Sequence, residues 1–298
     1  MAERRDDSRH TSRSALIAAG PRPAELPHDP YAPDDPFAPD DPFAPDGAGP
    51  LERAIRIGVI LIGVVAFWYA AILLTGAPRF ILPPPDAVLA SLIGDAGLLA
   101  ENALTTISEI LLGMLFGLTV GCATALLMAA SAPVRRWMLP VLVASQAVPV
   151  YALAPVLVLW FGFGIWPKVV MATLIIYFPV TAAFFDGLRR ADRQWIDLAR
   201  SMGASRGDVL RLVRLPAALP SLASGIRIAA ATAPIGAIVG EWIGASAGLA
   251  HVMNQSKAQA EEPRMFAALV VIAVIAVCLY FAVDRLLRLA VPWRAEAV

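Results

Sequence analysis

Asp197–Pro216 reads DLARSMGASRGDVLRLVRLP, a polar, arginine-rich stretch set between two long apolar runs. Just before and within it, Trp195, Ile196, Leu198, Ala199 and Met202 recur at helical spacing. Gly203 follows, a residue suited to a left-handed C-cap. Ser205-Arg206-Gly207-Asp208 has the capping-box pattern, in which Ser205 accepts from the backbone N–H three residues on. A second short helix is then expected through Val209, Leu210, Leu212 and Val213. Pro216 has no N–H to donate and disfavours helix in Leu215, so the pattern is expected to break there. Joining two spans needs no such structure. A helix–turn–helix with apolar residues to spare points to a docking site for a soluble partner.

The flanking sequence makes this a loop of a membrane protein. The 298 residues are 58% hydrophobic and only 16% charged, which fits a polytopic membrane protein better than a soluble domain. Six apolar runs approach the length of about 20 residues that spans a bilayer. They lie near Ile55–Leu74, Leu104–Ala129, Leu139–Phe161, Lys168–Phe185, Leu222–Ile243 and Phe266–Leu287. Between the first two, Ala77–Asn102 begins with a proline-rich segment and turns weakly amphipathic, as a short interfacial helix after Pro85 would.

The cations orient the spans. With the N-terminus in the cytoplasm, Arg53, Arg56, Arg135, Arg136, Arg189, Arg190, Arg193, Arg200, Arg206, Arg211, Arg214, Arg285, Arg288 and Arg294 flank the spans on that side. The other side has Arg79, Lys168, Lys257 and Arg264. The bias, 14 against 4, places the Asp197–Pro216 loop and both termini in the cytoplasm. Trp160, Phe161, Phe163 and Trp166 cluster at the tight opposite turn, where an aromatic belt is expected.

Residues 1–50 differ in kind. They carry five arginines and ten acids, and repeat a six-residue unit at Asp29–Asp34, Asp35–Asp40 and Asp41–Asp46. Regular proline and low apolar content are expected to leave this segment a disordered cytoplasmic tail before a permease domain over residues 51–293. No cleavable signal peptide is visible, since the apolar Ser14–Gly20 run is too short. Cys122 and Cys278 each fall in an apolar run and are expected to pack as small hydrophobes. His10, His28 and His251 form no ligand cluster, and neither a zincin motif nor a P-loop is present. Most arginines sit in short loops beside apolar runs, unlike a nucleic-acid binder.

The loop resembles the coupling loop of inner-membrane permeases of ATP-binding-cassette importers. That pattern runs E-A-A, three residues, G-A, five residues, F, two residues, I, one residue, L-P. Here Asp197-Leu198-Ala199, Gly203-Ala204, Leu210, Val213 and Leu215-Pro216 stand at those spacings, with mild departures at Asp197, Leu198, Leu210 and Val213. FILPPPDAV at Phe80–Val88, SQAVPVYALAPVLVLWFGFG at Ser145–Gly164 and GEWIGASAGLAHVM at Gly240–Met253 are similar to the nitrate/taurine/sulfonate branch. Within it they look most like permeases assigned to pyrimidine precursors of thiamine. The resemblance covers roughly residues 51–293. It implies a type I importer (MetI-like) fold in a bacterial inner membrane. It also implies two permease subunits, identical ones being expected, two ATPase subunits that dock on the loop and use ATP and magnesium, and an extracytoplasmic solute-binding protein. The chain itself would bind no cofactor and catalyse no reaction. The implied cargo is a small polar solute, a hydroxymethylpyrimidine-like precursor or alternatively a sulfonate, taurine or nitrate.

Polar residues within spans are costly and face protein or a water-filled path. Glu109, Gln146, Tyr151, Tyr177 and Glu241 qualify. Gln146, Pro149, Tyr151 and Glu241 are the candidates for the translocation path, against interhelical hydrogen bonding or, for Glu241, simple contact with solvent. Pro149 and Pro155 are expected to interrupt the third span. Gly113, Gly117 and Gly121 form a stripe for close helix contact. Arg227 is expected to snorkel or pair with an acid. An ion-coupled secondary transporter is the rival reading, but no convincing internal repeat is present and only Glu109 lies deep in a span. The residue sets of a membrane enzyme are missing.

Overall fold

The computed structural model describes residues 50–244 and 246–290. The repeats expected to form a disordered tail lie outside the described residues. Among the described residues every regular element is a helix: α1 Pro50–Thr75, α2 Pro85–Gly94, α3 Ala96–Ala130, α4 Ala132–Ala147, α5 Ala154–Phe161, α6 Trp166–Arg189, α7 Arg193–Ser201, α8 Arg206–Asp208, α9 Leu215–Gly244, α10 Leu249–Ala258 and α11 Glu262–Ala290. A 3₁₀ turn, Val150–Leu153, leads into α5, and a π-helical segment, Val209–Arg214, joins α8 to α9.

Among the described residues five helices are long and apolar enough to cross a membrane, and a bent pair makes a sixth span. α4 and the segment through α5 meet at 90°, so the third apolar run is an elbow rather than a straight span. The cause is local. Val148 is extended, as a residue before proline prefers to be, and Pro149 is extended with no N–H to continue the ladder. The expectation for Pro155 needs correcting: it sits in the first turn of α5, where a missing N–H costs nothing, and so starts that helix instead of interrupting one. The expected short helix after Pro85 is α2, which begins at Pro85 itself.

The centre of the bundle is α3, α6 and α9, and small residues let them close on one another. A Cβ added at Gly117 would stand 2.6 Å from Ile176 Cγ2, and one at Gly236 would stand 2.5 Å from the Ala172 Cα. Gly113 faces Ala172, Gly121 faces Val180 and Thr181, and Gly240 faces Lys168. Around these seams Ile110, Met114, Ile176, Val180, Ala229 and Ala233 are buried. Without a hydrophobic drive between helices in lipid, close van der Waals contact of this kind is the main source of association.

α1 is the opposite case. Phe67, Leu73 and Leu74 are exposed on it, as suits a helix whose solvent is lipid. It meets the rest through Trp68 against Phe266 and through the Tyr69 hydroxyl, which donates to Asp86 at 3.1 Å. Cys122 packs beside the core as expected, whereas Cys278 lies on the exposed face of α11, the periodicity of an all-apolar helix giving no inward face to read. Arg227 takes the paired alternative: its Nε is 2.5 Å from Asp284 on α11, and Arg288 approaches the same carboxylate at 2.8 Å. Arg264, at the start of α11, reaches Asp95 between α2 and α3 at 3.0 Å. That hydrogen-bonded guanidinium, helped by Ser91, holds the Asp95 carboxyl below the usual carboxylate range.

Gly236→Ala should destabilise the protein by about 1–3 kcal/mol, because the added carbon has no room against α6. Gly58→Ala, at a helical position with open space around it, should instead be neutral or stabilise by up to about 1 kcal/mol. Thermal unfolding of the two detergent-solubilised variants separates these signs. Equal behaviour would mean that α6 and α9 do not approach so closely.

Candidate functional site

The arginine-rich loop between α6 and α9 builds a capped pair of short helices. Asp192 caps α7, its Oδ1 accepting from the Gln194 N–H at 2.9 Å. α7 ends in a Schellman motif: the Ala204 N–H donates to the Ala199 carbonyl at 3.0 Å and the Gly203 N–H to Arg200 at 2.9 Å. Gly203 has φ +86°, and a Cβ there would meet nothing, so backbone conformation and not space selects glycine. The next helix opens with a complete capping box. Asp208 N–H donates to Ser205 Oγ at 3.2 Å, and Ser205 N–H donates to Asp208 Oδ2 at 3.0 Å.

Pro216 does not end this second helix. The chain passes through the π-helical turn Val209–Arg214, the Leu215 N–H bonds to the Leu210 carbonyl, and α9 continues. Pro216, with no N–H to give, stands directly after the last π-type bond, in the first turn of α9. Proline is tolerated here because the ladder changes from π to α at this point.

The candidate coupling residues divide by face. Ala199, Ala204 and Val213 turn inward around a small core of Ala191, Ile196 and Val209. Leu210 and Leu215 pack toward Phe184, Phe185, Leu188 and Ala218, which joins the helix pair to α6 and α9. Asp197, Leu198, Gly203 and Pro216 are exposed. Beside them stand Trp195 at 63% exposure, Met202 at 79% and Leu212 at 75%. An apolar group of this size on a polar, arginine-bearing element marks a contact surface.

About 28 Å away along α3, counting 1.5 Å per residue from Met128 to Glu109, the bundle holds a buried polar cluster. Lys168 Nζ donates to Glu109 Oε1 at 2.5 Å and to the Ala247 carbonyl at 3.2 Å. Thr106 Oγ1 donates to Glu241 Oε1 at 2.6 Å. The α10 N-terminus has N–H groups without intrahelical partners, and side chains from other helices accept them. Gly248 donates to Asn102 Oδ1 at 2.8 Å, Leu249 to Thr106 Oγ1 at 3.0 Å, and Ala250 to Glu241 Oε2 at 2.7 Å. Gly248 is fixed twice: its φ is +116°, and a Cβ would collide with the Glu241 carboxylate.

This cluster corrects three expectations. Glu241 is buried at 1% exposure and does not reach solvent. Lys168 is buried at 4% within the bundle, so it is no flanking cation. Glu109 is not a lone intramembrane acid, although its Oε2 has no hydrogen-bond partner among the described residues. Gln146, Pro149 and Tyr151 lie exposed at the α4–α5 elbow, and the hydrogen bonds of Glu241 go elsewhere, to Thr106 and Ala250. Tyr177 is half-buried beside the core under the helix pair. Asn102, Thr106 and Lys168 were missed. The first two were detectable, because Asn102, Thr106 and Glu109 share one helical face with Gly113, Gly117 and Gly121. Among the described residues no group of three or more His, Cys, Asp or Glu gathers to hold a metal.

Residues 113–295 match the family model described as binding-protein-dependent transport system inner membrane component. A probable ABC transporter permease protein of Haemophilus influenzae is 48% identical over 77% of this chain and 94% of its own length. The formylaminopyrimidine transport permease protein ThiX of Halalkalibacterium halodurans is 34% identical over 78% of this chain and 93% of its own. The riboflavin transport system permease protein RibX of Chloroflexus aurantiacus is 37% identical over 82% and 91%. A solved inward-facing structure of the MetNI methionine ABC transporter aligns at TM-score 0.58 and 21% identity, covering 66% of this chain and 97% of that one, and so shares the fold. The chain belongs to the binding-protein-dependent transport family: it is a multi-span permease subunit of an ATP-binding-cassette importer.

Breaking the buried pair should cost more than deleting it. Lys168→Met alone leaves Glu109 uncompensated and should destabilise by about 3–5 kcal/mol. Adding Glu109→Leu should return much of that loss. Thermal unfolding of both single variants and the double variant gives the coupling, and simple additivity would refute a direct pair.

Proposed function

We propose that this permease carries a small planar pyrimidine precursor across the bacterial inner membrane, driven by a separate ATPase that seats on the helix pair at Arg193–Pro216. The observation that carries the docking is the outward set Trp195, Leu198, Met202 and Leu212, held on elements locked by a Schellman motif and a capping box. Leu210 and Leu215 connect those elements to Phe184, Phe185 and Leu188, so displacement of the pair reaches α6 and α9. The positive-inside bias supports a cytoplasmic position for that face and for both termini. Two permease subunits, two ATPase subunits that use ATP and magnesium, and an extracytoplasmic binding protein complete the assembly. The chain's own part is the path and its switching between two packings. For the cargo, support comes from the ThiX relative named for formylaminopyrimidine transport and from the sequence likeness at Ser145–Gly164 and Gly240–Met253.

Affinity purification in mild detergent should recover a P-loop ATPase in stoichiometric amount. Leu212→Glu should abolish that recovery while leaving the permease folded in the membrane. A non-glycine side chain at the φ +86° of Gly203 is strained by about 1–3 kcal/mol. Gly203→Val should therefore lower ATP-dependent uptake about tenfold or more. Uptake with normal kinetics in both variants would refute docking at this loop. Uptake of labelled hydroxymethylpyrimidine, with taurine as competitor, tests the cargo.

A further inference from the structure

We propose that the buried cluster of Glu109, Lys168 and Glu241 binds one proton, shared between its two carboxyl groups, as a fixed part of the folded bundle.

Glu109 is 0% exposed, Glu241 1% and Lys168 4%. Two carboxylates against one ammonium leave one negative charge uncompensated in a seam shut off from water. The neighbouring elements supply no second cation. On α10, Lys257 is exposed. His251 of the same helix lines a cleft with Glu241, yet the Glu241 oxygens bond to Thr106 and Ala250 instead. On α11, Arg264 pairs with Asp95 and Glu261, and Arg288 with Asp284. Arg227 of α9 pairs with Asp284 as well. On α3, Glu101 is exposed and would only add negative charge. The N-terminus of α10 contributes about half a positive charge, not a whole one.

The bonds to Glu241 suit an anion: a hydroxyl donates to one oxygen and a backbone N–H to the other. Glu109 is served on one side alone. Lys168 Nζ donates to Oε1, while Oε2 has no hydrogen-bond partner among the described residues. The Glu241 carboxyl group lies beside it, within reach for one carboxyl to hydrogen-bond the other. Ionised carboxylates only accept, so that bond needs a hydrogen. Two carboxylates sharing a dry site do not both ionise, because each opposes the charge of the other.

A proton on Glu109 Oε2 meets both demands. It turns an orphaned acceptor into a donor toward a free lone pair of Glu241. It also brings the cluster to neutrality, with Lys168 still bonded to Oε1. The proton is taken from water as the helices close, and no other bond changes. A metal ion does not fit the donor set. Among the described residues no three His, Cys, Asp or Glu gather, and the Lys168 ammonium already occupies Oε1. The proton thus fastens α3 to α9, which would otherwise meet carboxylate against carboxylate.

The test is infrared spectroscopy of the full chain at neutral pH, in maltoside micelles, whose detergent has no carbonyl group of its own. A protonated carboxylic acid has a carbonyl stretch that an ionised carboxylate lacks. We expect this band in the unmodified protein. Glu109→Gln should abolish it, since Lys168 and Glu241 then balance without a proton. Glu241→Gln should abolish it by the same count. Amide and acid have the same shape, so both variants should fold, which their thermal unfolding checks. Absence of the band from the unmodified protein overturns the proposal. So does a band that survives unchanged in folded Glu109→Gln. If Glu241→Gln fails to fold, Glu109→Gln alone decides between the two results.

Discussion

A backbone N–H inside a bilayer has no water to bond, so each place where this chain departs from a continuous helix needs an internal partner. The break between α9 and α10 shows the constraint most fully. The first N–H groups of α10 are accepted by Asn102, Thr106 and Glu241, side chains from two other spans. Those acceptors could not be apolar, and once polar they had to be buried and balanced, which brings in Lys168 and Glu109. The elbow at Val148–Pro149 follows a cheaper route: proline removes the donor that would otherwise be orphaned.

The second requirement is closeness. Donors on α10 reach acceptors on α3 only because α3, α6 and α9 approach within the reach of short side chains. Glycine at positions 113, 117, 236 and 240 permits that approach, the facing residues being Ala172, Ile176 and Lys168. Polar satisfaction and small-residue packing are thus one design: loosening the seam would lengthen the hydrogen bonds, and losing the bonds would leave charged groups in a dry seam. The helix pair at Arg193–Pro216 needs none of this. Its termini are closed by its own caps, which leaves large apolar side chains free to face outward.

Much of this was legible in the sequence because the governing signals are local. The spans follow from runs of apolar residues, the helix pair from Gly203 and the Ser205–Asp208 box, and the elbow from Pro149. The stripe at Gly113, Gly117 and Gly121 foretold a helix seam. What escaped was pairing between distant positions. Lys168 bonds a residue 59 positions away and Glu241 one 135 positions away, and no periodicity encodes such partners. Lys168 was read as a flanking cation because it sits at the edge of an apolar run, where length alone cannot tell a boundary from a buried turn. Pro216 differs for another reason: a proline break presumes a continuous α-ladder, and the segment just before it is π.

The two ends of the bundle are joined by the same three helices. Leu210 and Leu215 seat the helix pair against residues of α6 and α9, and the polar cluster fastens α3, α6, α9 and α10 to one another about 28 Å away. Helices packed backbone to side chain along glycine seams do not compress, so force applied at one end moves the group as a body and not by gradual deformation. In an importer cycle the change in shape then belongs to joints that lack such seams. The right-angle elbow between α4 and α5 is one, where Gln146, Pro149 and Tyr151 are exposed. Glu109, Lys168 and Glu241, by contrast, fasten helices to one another through buried hydrogen bonds. The polar side chains buried between the spans hold the bundle together, and those at the elbow stay outside that network.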